Sequence, residues 1–330
     1  MFNRLSSAAI AAAVVVGISS PVLAETKWDV SIPWGASEFH TKDAVAFAAA
    51  VKEATGGEVV MTVHAGGSLG VRHNESLRAI EDGLVAMGEF AAFVNVGDVP
   101  ILGVESIPFL ISNYADLRIM QDIVRPTWEA ELMKRNQKML YSVPWPSQNF
   151  FTKKKIESKA DMKGLRMRTY DANTATMVSN LGMVALQLNS ADVVPALATG
   201  KVDAVMTSGS TAVAQKYWEF LKHTYNTNHL WASNVMNVNL DMWNALSPAH
   251  QKAIEGLARK MERDFWVISE AEHKKRMAQL VKNGMTVQAA TPALKAAMIA
   301  ATVTMEADFI KRVGGKSAEI IAAYRKRAGK

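Results

Sequence analysis

The chain predicts an α/β protein of two lobes, and three observations carry that reading. Short apolar or alternating runs recur between stretches of helical period, glycines stop helices just ahead of several of those runs, and no long flexible tether divides the halves. Trp28 to Pro33 reads as a strand, Phe39 to Thr55 as a helix closed by Gly56-Gly57, and Glu58 to His64 as a second strand. This is a βαβ unit. A Gly-rich turn, Ala65-Gly-Gly-Ser-Leu-Gly70, leads to a helix from about His73 to Glu81, stopped by Gly83, and then to an apolar strand from Met87 to Phe93. A third parallel strand follows, with right-handed crossovers and helices on both faces of an open sheet.

Asn113 to Lys134 reads as a helix and Lys138 to Pro144 as a strand. Pro144-Trp-Pro146 is a stiff extended segment where the chain can leave the first lobe. A second α/β set covers Phe150 to about Leu230, and Val235 to Leu240 is a further strand. Ser247-Pro248 opens a helical stretch that continues to Asn283 and stops at Gly284. At about 1.5 Å per residue it reaches roughly 50 Å, so it is either kinked or bridges two lobes. Met285 to Ala289 reads as a strand, and Pro292 to Arg312 and Ser317 to Arg327 as terminal helices. The expected division is a first lobe of residues 25–146, with 235–273 returning to it, and a second lobe of 147–234, with 274–330 packed on it. Lobes crossed several times by the chain make a clam that shuts on a ligand.

Residues 1–24 have the form of a signal peptide: Arg4, an apolar run from Ala8 to Ile18, and a small-residue cleavage site at Val22-Leu23-Ala24. The apolar run is too short to span a bilayer, so the product is expected to be exported and soluble. Cysteine is absent, which removes disulfides, thiolate metal sites and cysteine nucleophiles. A formal charge of +6 is mild for 330 residues. The basic clusters Lys153-Lys-Lys155 and Arg325-Lys-Arg327 lack interleaved aromatics, so nucleic acid is not an expected partner.

The most informative segment is Asp161-Met-Lys-Gly-Leu-Arg-Met-Arg168, followed by Ala196-Leu-Ala-Thr-Gly-Lys-Val-Asp-Ala204. In the first, Leu165 and Met167 alternate with Arg166 and Arg168, so one face of a short strand is cationic. In the second, a helix carrying Val193, Val194 and Leu197 ends at Gly200 and a buried strand, Val202 to Met206, begins. Strand, helix and strand in a parallel sheet place ligands at the carboxyl ends of the strands, and Arg168 lies near one such end. A planar guanidinium there can grip a carboxylate with two parallel hydrogen bonds.

Other chemistry finds little support. The seven histidines show no metal-binding spacing and read as isolated surface or capping residues. Ser208-Gly-Ser-Thr211 lacks a nucleophile-elbow context, leaving an exported α/β hydrolase as the alternative; a receptor for metals or metal chelates is a third class. The Gly-rich turn lacks the lysine and spacing of a phosphate loop, and there is no dinucleotide fingerprint. No cofactor or metal is called for. Trp34, Phe90, Trp145 and Trp231 all fall at strand ends or crossovers, where side chains can line a pocket between lobes.

The order Gly-Gly-Glu before a strand, Ser-Leu-Gly70, Ser106-Ile-Pro-Phe-Leu110, the Lys-Gly-Leu-Arg-Met-Arg motif and Thr-Gly-Lys-Val-Asp203 resembles the solute receptors of tripartite ATP-independent periplasmic (TRAP) transporters, along essentially all of the chain after residue 24. The resemblance implies a two-lobed periplasmic binding protein with a hinged cleft, a long helix supporting both lobes, and delivery of solute to TRAP membrane subunits. It also implies that Arg168 holds the carboxylate of an organic acid. Ala204-Val-Met-Thr-Ser208 stands where many relatives carry a ligand-touching asparagine, so Thr207 or Ser208 takes that place. Ser190-Ala-Asp-Val stands where many have phenylalanine, and Asn149 where sialic-acid-type members have a second arginine. The expected ligand is therefore an aromatic or hydrophobic monocarboxylate, a sulfonate fitting the same clamp. Asn149 and Thr207 would bond its head, Trp34, Phe90, Trp145 and Trp231 would enclose its body, and Ser190 and Asn234 complete the set. A monomer and a small organic acid as partner are expected.

Overall fold

The computed structural model describes residues 25–330; the predicted signal peptide lies outside the described residues. In chain order the elements are β1 (Thr26–Ser31), α1 (Phe39–Ala54), β2 (Val59–His64), α2 (Ser76–Glu81), β3 (Met87–Ala91), α3 (Tyr114–Met133), β4 (Gln137–Pro144), β5 (Asn149–Thr152), α4 (Lys159–Met162), β6 (Arg166–Thr169), α5 (Ala172–Asn180), β7 (Val184–Gln187), α6 (Ser190–Ala198) and β8 (Ala204–Thr207). They continue with α7 (Gly209–Ala214), β9 (His223–Asn226), β10 (Ser233–Asn239), α8 (Leu240–Asn244), α9 (Pro248–Lys282), β11 (Thr286–Ala289), α10 (Pro292–Ala300), α11 (Met305–Val313) and α12 (Ser317–Ala328).

Two sheets result, ordered β2-β1-β3-β10-β4 and β11-β9-β5-β8-β6-β7. β1 pairs parallel with β2 and β3, and β6 pairs parallel with β7 and β8, as the βαβ reading expects. The strands that arrive from the opposite lobe run the other way: β10 is antiparallel to β3 and β4, and β5 is antiparallel to β8 and β9. A strand entering at the cleft starts where the parallel strands finish, so it must run against them. The crossovers also hold each other, with Trp145 N–H donating to Ala232 O at 2.8 Å and Gln148 N–H to Leu230 O at 2.9 Å.

α9 is a single unbroken helix of 35 residues, capped by Ser247 with Pro248 in its first turn. It packs on α1 and β4 of the first lobe and on α7 and β11 of the second, so of the two readings of its length the bridge holds. Its middle is pinned to the first crossover: Ser269 Oγ donates to Pro144 O at 2.6 Å, and the Tyr114 hydroxyl donates to Ser269 O at 2.8 Å. At its far end Met277 packs on Gly209 at the start of α7, where a Cβ would meet its sulfur at 2.9 Å and make that side chain shift.

Two expectations fail at the C-terminal end. The helix expected over Pro292 to Arg312 is broken at 301–304, where Thr302 Oγ1 bonds Ile299 O at 2.9 Å and the β-branched run Thr302-Val303-Thr304 disfavours a continuous helix. Nor does all of 274–330 pack on the second lobe. α10 meets α4 there, but α12 lies on α3 of the first lobe, with Ile320, Ile321 and Tyr324 buried, the Tyr324 hydroxyl on Leu110 O at 2.9 Å and Arg327 paired with Asp122 at 2.7 Å. An amphipathic stripe specifies burial, not against which lobe.

Glu105 ties this lobe together, accepting from Gln121 Nε2 at 2.6 Å and from Ser233 N–H at 2.8 Å. Burial pushes its carboxyl up to about 8 against those hydrogen bonds. A value raised above the ordinary 4.5 means stability that is full below about 4.5 and is lost as pH rises through about 8. The melting temperature is expected to fall over that window. Glu105→Gln should flatten the fall, since Gln121 can turn its amide to keep the pair; an unchanged slope in thermal denaturation from pH 5 to 9 would reject Glu105 as a source.

Candidate functional site

The carboxyl ends of β1, β3, β6 and β8 meet where the lobes face each other, and the side chains just beyond them line a cavity of about 40 Å³. Trp34, His73, Phe93 and Trp145 come from the first lobe, and Arg168, Tyr170, Ser190, Thr207 and Thr211 from the second, with Gln148 in the crossover between them. Recesses of about 260 and 190 Å³ continue the cleft on either side, the first sharing Trp34 and Ser190, the second His73, Arg168 and Tyr170.

The two arginines of the cationic strand have separate fates. A turn at Gly164, with φ of 73°, starts the strand. Arg166, at the base of β6, is exposed and spent: Nε and Nη2 reach the two oxygens of Asp203 at 2.8 and 2.7 Å. This explains why the arginine motif comes with a downstream Val-Asp. Arg168, two residues nearer the cleft, is only 6% exposed and has no such partner. Its Nε and Nη2 donate to Leu188 O at 3.1 and 3.0 Å, and its Nη1 to Met206 O at 3.3 Å. Those bonds engage three of the five N–H groups of a guanidinium and leave one on each Nη, the pair suited to two carboxylate oxygens. Burial pulls its pKa below the ordinary arginine value, and no carboxylate pairs with it among the described residues. The Tyr170 ring lies 5.3 Å from its Cζ.

The facing wall is aromatic and fixed from behind. Trp34 meets Trp145 edge-on at 5.3 Å, and across the lobes Phe93 meets Tyr170 at 5.0 Å. Trp145 Nε1 donates to Asn234 Oδ1 at 2.6 Å, Asn234 Nδ2 donates to Glu89 Oε1 at 2.6 Å, and that oxygen lies 2.8 Å from His40 Nδ1. The His40 ring in turn packs 4.1 Å from Trp145. Burial holds the His40 pKa below the usual histidine value, with Glu89 opposing.

Of the nine residues expected at the ligand, Arg168, Trp145, Trp34, Thr207 and Ser190 line the cavity. Asn234 stands one layer behind, holding Trp145. Asn149 is buried in the crossover, its amide bonded to Ser147 O at 3.0 Å. Phe90 points into the first-lobe core because the strand period of two turns it away from its neighbours Glu89 and Ala91. Trp231 packs edge-on to Tyr114 at 4.8 Å, away from the cleft. The sequence reading missed His73, Gln148, Phe93, Tyr170 and Thr211; Phe93 and Tyr170 carried a signal, as aromatics one or two places past a strand end. His73, taken for a surface or capping residue, is 9% exposed, with burial and then Arg168 pushing its pKa down to about 3.

A larger groove of about 450 Å³ lies outside the first lobe between α3 and α9, but many of its charges answer each other, Arg125 with Glu262 and Lys138 with Glu255. The serines of Ser208-Gly-Ser-Thr211 serve the start of α7: Ser208 Oγ accepts from Thr211 N–H at 3.2 Å and lies 2.7 Å from Ser210 Oγ. No cluster of three metal-ligating side chains occurs among the described residues, and no helix among them is long and apolar enough to cross a membrane.

Residues 30–312 match the family model described as bacterial extracellular solute-binding protein, family 7. A solute-binding protein of Verminephrobacter eiseniae is 25% identical over 280 residues, covering 83% of this chain and 82% of its own. Among solved structures, an extracytoplasmic solute receptor of Bordetella pertussis that binds pyroglutamic acid superposes with a TM-score of 0.89 at 28% identity, covering 91% of this chain and 99% of its own. A TRAP solute-binding protein from a marine metagenome, specific for pyroglutamate, gives 0.89 at 34% identity, covering 92% and 99%. A second Bordetella pertussis receptor for pyroglutamic acid gives 0.88 at 31% identity, covering 91% and 100%. The chain thus belongs to family 7 of the bacterial extracellular solute-binding proteins and is a TRAP transporter solute receptor, not an enzyme.

Proposed function

We propose that this receptor works in the periplasm as a monomer, captures a compact monocarboxylate of the pyroglutamate type in the Arg168 fork, and hands it to TRAP membrane subunits. The observation that carries the reading is a buried guanidinium facing an interlobe cavity with no carboxylate in ion-pair contact among the described residues. A buried cation is stable only when paired, and an incoming carboxylate supplies the pair with two charge-assisted hydrogen bonds. Three matched structures at 28 to 34% identity bind pyroglutamate, which supports a small cyclic acid as the ligand. The flat faces of Trp34 and Trp145 suit such a ring. An aromatic monocarboxylate suits the same wall, and the matched pyroglutamate receptors favour the smaller body.

Arg168→Ala is expected to weaken pyroglutamate binding by about 2–5 kcal/mol, at least about thirtyfold, because the anion would be buried unpaired. Arg168→Lys should also lose most of the affinity, since an ammonium cannot reproduce the fork. Isothermal titration measures both, and unchanged affinity in the alanine variant would reject the clamp. Asn234→Leu strands the Trp145 indole N–H and takes one donor from Glu89 Oε1, which keeps His40, so urea unfolding should show a loss of about 1–3 kcal/mol. A loss below 0.5 kcal/mol, the scale of an ordinary surface change, would mean that the chain behind Trp145 is not structural. Small-angle scattering should give the mass of one chain and a smaller radius of gyration with pyroglutamate than without; an identical profile would count against a closing cleft.

A further inference from the structure

We infer that His73 is a second anion-recognising group of the cleft, presenting a neutral Nδ1–H donor beside Arg168 and so tuning the site to monoanions. The inference rests on the carboxylate reading of Arg168. His73 opens the short turn His73–Glu75 ahead of α2, and its ring is held edge-on by Trp34 at 5.0 Å. Its Nε2 accepts the backbone N–H of Ala91 at 3.0 Å. A ring nitrogen that accepts cannot carry a proton, so in the neutral ring the proton sits on Nδ1. Nδ1 makes no hydrogen bond within the described residues, and it is absent from their buried unpartnered atoms, so it keeps a path to the cleft. The residue lines both the central cavity and the recess of about 190 Å³, each of which Arg168 also lines.

The simplest alternative is that His73 only caps Ala91, the last residue of β3 in register with β10. Any side-chain acceptor would do that; an imidazole fixed through one nitrogen also offers a donor from the other. Charging the ring would set its new N–H against the Ala91 N–H and place a second cation next to Arg168, and burial with Arg168 holds it neutral. One guanidinium and one neutral donor match a single negative charge, whereas a dicarboxylate would bury one charge without a partner.

The test uses pyroglutamate as the probe and the full-length receptor after residue 24. His73→Leu, titrated at a temperature where circular dichroism shows it folded, should bind pyroglutamate at least about tenfold more weakly, as the loss of a hydrogen bond to a charged group predicts. His73→Gln, whose amide can accept from Ala91 and donate into the cleft, should recover most of the loss. In nitrogen-15 spectra the Nδ1 signal should move on adding pyroglutamate while Nε2 stays, a change that a mere cap would not produce. The inference is overturned if His73→Leu binds within twofold of the unaltered protein or if Nδ1 does not move. If Arg168→Ala loses binding and His73→Leu does not, only this inference falls; if the unaltered receptor does not bind pyroglutamate, both readings fall together.

Discussion

An arginine buried without a counter-ion is the constraint on which the rest of this molecule turns. Removing a guanidinium from water costs several kcal/mol, and backbone carbonyls with an aromatic face return only part of it. In Arg168 the Leu188 and Met206 carbonyls and the Tyr170 ring supply that part and fix the fork's direction. What they leave undone is the charge. Under the proposed function an anion in the cleft supplies what is missing, and affinity and closure become one quantity rather than two.

The fold draws the lining of the cavity from both lobes. The cation sits at the end of β6 in the second lobe, while Trp34 and His73 come from the first lobe and Trp145 from the crossover that leaves it. The two crossovers bond to each other, and α9 braces both lobes through α1 and α7. These crossings restrict relative motion to a hinge rather than free tumbling of two domains.

Much of this was legible in the chain and some was not. Alternation across Leu165 to Arg168 exposes an arginine face, and the carboxyl-end rule puts Arg168 at the cleft. What separates Arg166 from Arg168 is Asp203, thirty-odd residues away, so their fates depend on register between β6 and the start of β8. Phe90 and Trp231 fail for a related reason: being near a strand end says nothing about which face a residue takes, and each falls on the face turned to the first-lobe core. His73 carries no signal at all, because its role comes from a contact with Ala91 that only the tertiary fold creates. The destination of α12 was equally hidden, since Ile320, Ile321 and Tyr324 mark a buried face without naming the surface that covers it.

The arrangement also keeps the chain's own acids out of the proposed anion site. Glu89 lies on β3, two residues before the strand ends at the cavity-lining Ala91, and a carboxylate turned into the cavity there would oppose an anionic ligand. Instead Asn234 donates to it and His40 lies against the same oxygen, while Trp145, held by that same Asn234, forms part of the wall on the cavity side. Asp203 is likewise consumed by Arg166 at the far end of the strand. Asp171, the acid that acts on Arg168 through space, is turned to the start of α5, where its Oδ1 accepts from Thr174 N–H at 2.8 Å, so under the proposed function the ligand supplies the direct partner of Arg168, and the hydrogen bonds that occupy Glu89 also hold the aromatic wall in place.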